Sequence, residues 1–423
     1  MKRYESYKDS GVKWLGEIPG HWEVRKIKYT FKERSQKGFP KLSLLSATQQ
    51  YGVIKKDDYE NRTVVATKGL DTLKLVCKND FVISLRSFEG GIEMSHEEGI
   101  ISPAYTILIP KKIEPSYFRH LGKSPVFINL LKMMVTGIRE GQNIDYNKLR
   151  TNLIPIPPKS EQTAIANYLD SVTSKINEAI SQQQKMIDLL NERKQIIIQN
   201  AVTKGLDPNA KMKDSGVEWI GEIPENWEVI KCSYVFSGIG SGTTPKSSNE
   251  NYYTNEGVNF LQTGDLNDGY INDTTKKITD KALKEINLKI YNKNSLIIAM
   301  YGATIGKLGI LNVCTTVNQA CCVLPQTKKI STKYAFYMYM IARKDLIIKS
   351  RGGGQPNISQ DTIRNQKIIV PTKNDQEEIV EHIEKMINPI DSSISQCNKM
   401  ISLLQERKQI IINDVVTGKV KVI

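Results

Sequence analysis

The sequence repeats itself, and this repeat constrains the fold more than any other feature. The segment KDSGVKWLGEIPGHWEVRKIKYTF at 8–31 returns as KDSGVEWIGEIPENWEVIKCSYVF at 213–236, with 16 of 24 positions identical. A second segment, MIDLLNERKQIII at 186–198, returns at 400–412 with 11 of 13 identical. The 423-residue chain is therefore a tandem duplication of a unit of somewhat over 200 residues. The two copies share their ends and differ in their interiors.

Each copy ends in a long helical pattern. Apolar residues recur at alternating spacings of three and four over 159–204, and the same pattern returns over 373–417. Heptad spacing of this kind predicts two long helices that pack along a common seam. The alternative is a pair of unrelated surface helices, but the shared register and the unusual length favour the packed pair.

The divergent interiors are predicted to be mixed α+β. Short runs rich in β-forming residues alternate with turn-rich loops, and more helical stretches follow at 116–134 and 332–348. The predicted fold is therefore α+β, with two mixed α/β domains separated by two long antiparallel helices and an internal pseudo-two-fold from the duplication. The predicted segments are the first domain at 1–158, the first helix at 159–204, the second domain at 205–372 and the second helix at 373–417.

Charge is segregated between these segments. Residues 1–159 carry 27 basic and 17 acidic side chains, and residues 210–373 carry 21 and 14, whereas the helical segments carry no positive excess. Nucleic-acid binding by the domains and protein contact by the helices would explain this segregation. A solvated basic surface without any partner is the alternative.

Signatures of catalysis, metal binding and membrane insertion are missing from the sequence. GATIGK at 302–307 has three residues between its glycines where a phosphate-binding loop has four. The six cysteines form no CxxC pair, and adjacent Cys321 and Cys322 suit a buried strand better than a metal. Because no catalytic motif is complete, we expect no active site in this chain. No apolar run could span a bilayer and no signal peptide is recognisable, so we expect a cytoplasmic protein.

Two glycine-rich loops are the first candidates for reading bases. IREGQNID at 138–145 and RGGGQPNIS at 351–359 occupy matching places before each long helix. Glycine lets a backbone approach phosphates closely, and Gln or Asn can pair bidentately with adenine. A plain turn before a strand is the alternative. The candidate residues in these loops are Arg139, Gln142, Asn143, Arg351, Gly353, Gln355 and Asn357.

Three further residues are weaker DNA-binding candidates. Lys307 ends the GATIGK turn, Arg86 lies in SLRSFEGG, and Lys246 is predicted to contact phosphate, which positions a protein without specifying a sequence. The four tryptophans all lie in the repeated opening segment. Base stacking by these rings is conceivable, but a motif that is shared while the interiors differ favours structural packing.

Several phrases of the sequence together resemble one protein family. The opening DSGVxWxGEIPxxW, the GTTP loop, LQTGDL at 261–266, GATIGK, NQAxxxLP at 318–325, GGGQPNI and the helix ends LLxERKQxII are similar to the habitual motifs of type I restriction–modification specificity subunits. The resemblance covers nearly the whole chain, and the combination is specific although each phrase alone is weak. Residues 41–110 resemble a different recognition-domain subtype from 240–325.

The resemblance implies a function. Each domain would read one half of an asymmetric bipartite site in double-stranded DNA, and the helices would dock two methyltransferase subunits, through Leu190, Ile197, Leu404 and Ile411. Restriction and translocase subunits would complete the complex. S-adenosylmethionine, ATP and magnesium would be bound by those subunits and not by this chain. The alternatives are a specificity subunit of a related methyltransferase–nuclease system, a catalytic methyltransferase or nuclease with divergent motifs, and a coiled-coil scaffold, which the charge segregation opposes.

Overall fold

A computed structural model describes residues 2–49, 51–58, 69–136, 143–352 and 356–422 of the chain. The chain divides into two compact units, and only the second is continuous in sequence. The first unit combines Met1–Gln184 with Asn398–Ile423, and the second is Lys185–Cys397. Each of the two long helices passes from one unit into the other.

The elements of the first repeat are, in chain order, β1 (Tyr7–Asp9), β2 (Glu17–Pro19), β3 (Glu23–Lys26), α1 (Ile27–Thr30), β4 (Phe31–Arg34), β5 (Leu45–Thr48), β6 (Gly52–Lys55), β7 (Lys74–Val76), β8 (Phe81–Ile83), α2 (Ser87–Gly90), β9 (Glu93–Met94), β10 (Gly99–Ile101), β11 (Thr106–Pro110), α3 (Pro115–Leu121), α4 (Pro125–Met133), β12 (Val135–Thr136), β13 (Asn143–Ile144), α5 (Tyr146–Leu149), β14 (Leu153–Ile156) and α6 (Lys159–Lys204).

The elements of the second repeat are β15 (Met212–Asp214), β16 (Glu222–Pro224), β17 (Glu228–Lys231), α7 (Cys232–Val235), β18 (Tyr253–Thr254), β19 (Val258–Leu261), β20 (Gly269–Ile271), β21 (Lys276–Ile278), α8 (Asp280–Glu285), β22 (Leu296–Ala299), β23 (Leu308–Leu311), β24 (Thr315–Val317), β25 (Cys321–Leu324), α9 (Thr332–Ile348), α10 (Gln360–Asn365), β26 (Lys367–Val370) and α11 (Lys373–Val416).

The two domains share a frame but differ in their sheets. In both, the strand of the opening segment pairs antiparallel with the strand that leads into the long helix, β3 with β14 and β17 with β26. The first domain then builds an antiparallel sheet in the order β4-β11-β8-β9, whereas the second builds two mixed sheets, β18-β21-β19-β24 and β20-β23-β22-β25. The mixed α+β prediction is confirmed.

The predicted helix at 116–134 is two helices in the structure. Gly122 caps the first of them, α3, and Ser124 followed by Pro125 begins the second, α4. The ring of Pro125 lacks an N–H donor, so the first turn of a new helix tolerates it whereas the interior of a continuous helix would not. The predicted helix at 332–348 is one element with those bounds, α9.

The repeated tryptophans are structural, as the sequence favoured. Trp22 is buried, and its Nε1 donates to Glu161 Oε2 at 2.9 Å in the first turn of α6. Trp227 does the same in the second unit, donating to Asp375 Oδ2 at 2.8 Å at the start of α11. Because a buried indole N–H needs an acceptor, these pairs fix where each long helix leaves its domain.

A repeated glutamine reinforces the same junction. Gln162 is buried, its Nε2 donates to the carbonyl of Pro157 at 2.8 Å, and its Oε1 accepts from the backbone N–H of Glu114 at 2.8 Å. Gln376 makes the equivalent bonds in the second unit, to Pro371 at 3.0 Å and from Ser331 at 2.7 Å. The same glutamine therefore connects the start of the long helix to the domain interior in both units, although the interiors differ.

Each domain also holds the end of the other repeat's long helix. In the second unit Tyr334 donates from its buried hydroxyl to the carbonyl of Val202 at 3.1 Å, and in the first unit Tyr117 donates to Val416 at 3.0 Å. Both helices stop at a glycine soon after. Gly205, with φ of 72°, adopts the left-handed conformation that commonly ends a helix.

The two long helices are antiparallel. In the first unit Asn177 of α6 contacts Lys408 of α11, and in the second unit Lys194 contacts Asp391. Residue numbers therefore rise along one helix as they fall along the other. Within the described ranges, no helix combines the length and the apolar character that crossing a membrane requires.

Candidate nucleic-acid interface

The glycine-rich loop of the second domain is closed by a short antiparallel ladder. The N–H of Arg351 donates to the carbonyl of Asn357 at 2.9 Å, and the N–H of Asn357 donates to the carbonyl of Arg351 at 2.8 Å. Both side chains are exposed. Gly353 and Gln355, the two other residues predicted in this loop, lie outside the described residues. The loop therefore displays a guanidinium and an amide from fixed backbone positions.

A third extended segment adds a tyrosine to this ladder. Tyr301 pairs antiparallel with Asn357, and the flanking bonds run from the N–H of Gly302 to Pro356 at 2.8 Å and from Ile358 to Met300 at 2.9 Å. Directly opposite residues of an antiparallel ladder place their side chains on the same face, about 5 Å apart. The row Arg351, Asn357 and Tyr301 thus spans roughly 10 Å, close to the width of a DNA major groove.

The sequence interpretation missed Tyr301. This side chain is 44% exposed, although only Met300 separates it from a buried strand, β22. A large aromatic residue at the start of a glycine-rich turn was the only available signal, because the pairing with Asn357 joins residues 56 positions apart.

The GTTP loop is attached to the same edge of the domain. The N–H of Gly242 donates to the carbonyl of Asn318 at 3.3 Å, and Thr244 donates to the side chain of Gln319. A side chain at Gly242 would overlap the carbonyl oxygen of Val317, so this close approach requires glycine. Met300 in turn donates to the carbonyl of Ala320 at 2.8 Å, which connects the GTTP loop to the ladder.

A buried tyrosine fixes the start of the GTTP loop. The hydroxyl of Tyr291 donates to the carbonyl of Ser241 at 3.0 Å, and burial raises the pKa of Tyr291 to about 12. The phenol therefore stays protonated and keeps donating at any physiological pH. Lys246 follows this loop and is exposed, as a phosphate-contacting residue must be.

Lys307 lies at the far end of the turn that begins at Tyr301. Its side chain is exposed, while its N–H donates to the carbonyl of Thr304 at 2.9 Å. The turn is braced by Arg343, whose Nε donates to the carbonyl of Gly306 at 2.8 Å and whose guanidinium pairs with Asp268. The structure thus brings Arg351, Asn357 and the GATIGK turn together, with an open cleft of about 660 Å³ beside Arg351 and Asn357.

The corresponding loop of the first domain is also closed by a ladder. Asn143 pairs with Thr136 between β12 and β13. The side chain of Asn143 is exposed, but its Oδ1 accepts from the N–H of Ile144 at 2.9 Å, so part of its capacity to pair with a base is already used. Arg139 and Gln142, the other predicted residues here, lie outside the described residues.

Both loops lead into the same kind of short helix. Asp145 caps α5 by accepting from the N–H of Lys148 at 3.2 Å, and Ser359 caps α10 by accepting from Thr362 at 3.0 Å. Arg86 is exposed at the start of α2, and no described contact joins it to the Asn143 loop. The first domain thus resembles the second in the frame of its loop but not in what surrounds it.

The residues expected to contact protein partners lie closer to the helix seam than the sequence interpretation implied. Ile411 is buried in the core of the first unit, so it has no surface to offer a partner. Leu190, Ile197 and Leu404 are half-buried. The period of the pattern is compatible with either face, and only the packing shows which apolar residues point inwards.

Different apolar residues of the same repeated segment point outwards. Met186, Leu189 and Ile196 are about half exposed on α6, and the equivalent Met400, Leu403 and Ile410 are about half exposed on α11. We call each set an outward stripe; one lies in each unit. Positions three and seven apart lie on the same side of a helix, so each stripe places its three apolar residues on one face, with an exposed arginine between the second and the third.

The described residues contain no group of three or more side chains that could hold a metal ion. Cys321 and Cys322 are buried on β25, in the strand that their sequence predicted, and burial raises the pKa of both thiols. Neither thiol is therefore poised as a nucleophile.

Comparison with known proteins identifies the family. The family model described as the type I restriction modification DNA specificity domain matches residues 19–186 and 224–401. A Methanocaldococcus jannaschii protein provisionally named the type I restriction enzyme MjaX specificity subunit is 26% identical, with 98% of each chain covered. The EcoBI specificity subunit of Escherichia coli is 22% identical over 66% of this chain and 60% of its own length.

A solved structure has the same fold. It comes from a study of complex assembly and conformational transition of the type I R-M system, and it superposes with a TM-score of 0.70 at 16% identity, over 95% of this chain and 99% of its own. The prediction of a recognition subunit in place of an enzyme is confirmed by this family. The chain belongs to the type I restriction modification DNA specificity family, carries two of its domains, and is a DNA-specificity subunit of a type I restriction–modification system.

Proposed function

We propose that each domain reads one half of an asymmetric bipartite site in double-stranded DNA. The observation that carries this proposal is the row Arg351, Asn357 and Tyr301, which presents three groups able to pair with base edges on one exposed face of the second domain. The first domain has a ladder in the same place but different sheets around it. Two different reading surfaces on one repeated frame favour two different half-sites.

Methylation mapping tests this proposal. The native complex is purified through a tag on this chain, and the sites that it methylates are mapped genome-wide. We expect two different half-sites separated by a spacer of fixed length. Replacing 237–365 by the interior of a relative with different specificity should change one half-site and leave the other unchanged. A palindromic site, or a change in both halves, would contradict the proposal.

We further propose that the partners on the long helices are two copies of one methyltransferase subunit, joined in the complete complex by restriction and translocase subunits. The outward stripes support this. Residues on a solvent-facing helix surface have no packing reason to stay identical. The methionine, leucine and isoleucine are nevertheless the same in both stripes. The exposed arginine between the leucine and the isoleucine, Arg193 or Arg407, is also the same. A surface presented twice fits a partner bound twice.

Charge substitutions in the stripes test this partner surface. Leu189→Asp and Leu403→Asp should each remove one methyltransferase copy, and the double variant should remove both, as measured by the mass of the purified complex. Asn191→Asp is the matched control, because Asn191 is exposed about 160° around the helix axis from Leu189 and the second copy has Gln405 in its place. Retention of both copies by the double variant would exclude the stripes as the docking surface.

We propose that this chain binds no cofactor and that S-adenosylmethionine, ATP and magnesium are bound by the partner subunits, in the cytoplasm where the DNA substrate is found. The absence of a catalytic motif in the sequence supports this. The purified chain alone should transfer no methyl group from labelled S-adenosylmethionine to duplex DNA. Methylation by this chain alone would favour the alternative of a divergent methyltransferase.

A further inference from the structure

One tyrosine is exposed at the same place in both repeats. Tyr29 of α1 is 63% exposed and Tyr234 of α7 is 66% exposed, and the two are equivalent positions of the repeated opening segment. The neighbouring Ile27 and Cys232 are buried. A large aromatic side chain that is left in solvent twice is not explained by packing of the frame.

Lysines lie near this tyrosine in both units. Lys26 and Lys231 are exposed and precede the tyrosine by three residues in both copies. Two adjacent lysines from the interior of each repeat also lie near the tyrosine. Lys111 and Lys112 both donate from their backbone N–H to the carbonyl of Thr30, next to Tyr29, at 3.0 and 3.3 Å. In the second unit the Nζ of Lys329 donates to the carbonyl of Tyr234 at 2.7 Å.

The second pair of lysines is itself repeated. Lys-Lys-Ile occurs at 111–113 and again at 328–330, inside the interiors that otherwise differ. The isoleucine is buried in both, and the residue after it donates to the frame glutamine in both, Glu114 to Gln162 and Ser331 to Gln376. We call the resulting surface the lysine–tyrosine patch: Lys26, Tyr29, Lys111 and Lys112 in the first unit, and Lys231, Tyr234, Lys328 and Lys329 in the second.

The patch has the chemistry of an anion site. All eight side chains are exposed, and among the described residues none of the six lysines forms an ion pair. The nearby Arg25 is paired with Glu23 and is not counted. In the second unit Lys231 lies directly opposite Lys367 on paired strands, a like-charge arrangement that costs stability unless an anion is bound.

The patch lies close to the reading ladder in the second unit. Asn357 is followed by Ser359, which caps α10, and at the other end of α10 the carbonyl of Gln366 accepts from the N–H of Cys232 at 2.8 Å. Cys232 begins α7, the helix that carries Tyr234. Six helical residues span about 9 Å, so one short helix separates the base-reading row from the patch.

Retention in both repeats indicates which feature of DNA the patch recognises. Two different half-sites share no base sequence, but they share the sugar–phosphate backbone. We propose that the lysine–tyrosine patch of each unit binds backbone phosphates beside the half-site that the same unit reads, through the lysine ammonium groups and the tyrosine hydroxyl. Lysine and tyrosine are common phosphate-contacting residues. The proposal rests on the proposed function and adds a sequence-independent contact to it.

Salt titrations of the complete complex test the patch. Affinities are measured against salt concentration for a duplex with the mapped site and for a scrambled duplex of equal length. The variants are Lys111→Ser with Lys112→Ser, Lys328→Ser with Lys329→Ser, and Tyr29→Phe. Each lysine pair should lower the log–log salt slope by up to about 2, since each phosphate contact contributes about 0.9. Both duplexes should lose affinity by the same factor.

Lys13→Ser is the matched control, because Lys13 is an exposed lysine of the same opening segment and the second copy has Glu218 in its place. It should leave the slope unchanged. Patch variants with the slope of the unaltered complex would overturn the proposal. A second outcome would also overturn it: the patch variants assemble poorly with the methyltransferase, but the complexes that do form keep the unaltered salt slope of DNA binding. The patch would then bind an acidic protein surface and not DNA. An unaltered complex that binds both duplexes equally would contradict the proposed function but not the patch, whose readout is the slope.

Discussion

Lys194 of α6 donates from Nζ to both carboxylate oxygens of Asp391 on α11, at 2.6 and 2.8 Å. The same contact occurs in the first unit with the roles of the helices exchanged, because Lys408, the repeat equivalent of Lys194, donates to Oδ1 of Asn177, the equivalent of Asp391, at 2.8 Å. The duplication therefore extends to the pairing between the helices, but one acid has become an amide.

Exchanging the amide and the acid should change stability in opposite directions. Asn177→Asp should raise the free energy of unfolding by less than about 1 kcal/mol, and Asp391→Asn should lower it by a similar amount, since half-exposed ion pairs contribute little. Burial and the nearby Lys123 lower the pKa of Lys408, and a carboxylate beside it should raise that pKa. Urea unfolding at low and high salt measures the two changes in the free energy of unfolding. Changes that persist at 1 M salt would show that the interaction is not electrostatic.

Base reading and phosphate contact should separate in the second domain. Asn357→Ala removes the side-chain amide but leaves the backbone ladder intact. It should weaken binding to the mapped site by about 5- to 150-fold, which is the range of a bidentate base contact of ~1–3 kcal/mol. The affinity for scrambled DNA should hardly change. Lys246→Ala should weaken both by the same factor and lower the salt slope by about 0.9. The same comparison applies to Tyr301→Ala and to Gln355→Ala. If Asn357→Ala lowers the affinity for both duplexes by the same factor, the row does not read bases and has only a structural role.

The GTTP loop should depend on one glycine. Gly242→Ala places a methyl group on the carbonyl oxygen of Val317, so the loop must move away from Asn318 and with it the support of the ladder. We expect discrimination between the mapped site and scrambled DNA to fall by about 5- to 150-fold, because a contact of ~1–3 kcal/mol is lost. Gly264→Ala is the control, since a methyl group there meets no atom within 4 Å. Unchanged discrimination by Gly242→Ala would show that the loop does not support recognition.

Stability of the first unit should depend on pH through Glu93. Burial raises the pKa of this carboxyl to about 7, against the opposing attraction of Lys123, whose Nζ lies 2.6 Å from Oε2. A raised pKa means that the folded state holds the proton more tightly than the unfolded state. The free energy of unfolding should therefore fall as the pH rises from about 4.5 to about 7, by an amount on the order of 3 kcal/mol.

Glu93→Gln should remove this dependence and stabilise the protein at pH 8, while Lys123→Met should extend the loss to higher pH. Urea unfolding between pH 5 and pH 8 provides the measurement. A Glu93→Gln variant with the pH dependence of the unaltered protein would show that the carboxyl does not titrate in this range.

The duplication, the long helices and the charge of the domains could be predicted from the sequence, because these are properties of residue order and spacing. The heptad pattern predicts both helices, and the repeat predicts that Trp22 and Trp227 have the same structural role. The loops of Asn143 and Asn357 were also found from their matching positions, since they occupy the same place in the repeated frame.

Which distant residues come into contact could not be predicted, because it depends on how the elements pack. Lys194 and Lys408 connect the two long helices through partners 197 and 231 residues away. Tyr301 joined the candidate site by pairing with Asn357, and Lys112 joined Tyr29 through the carbonyl of Thr30. Periodicity shows that a helix has an apolar face, but the angular difference between Leu189 and Leu190 is only about 100°, and which of them faces solvent depends on the packing of the partner helix.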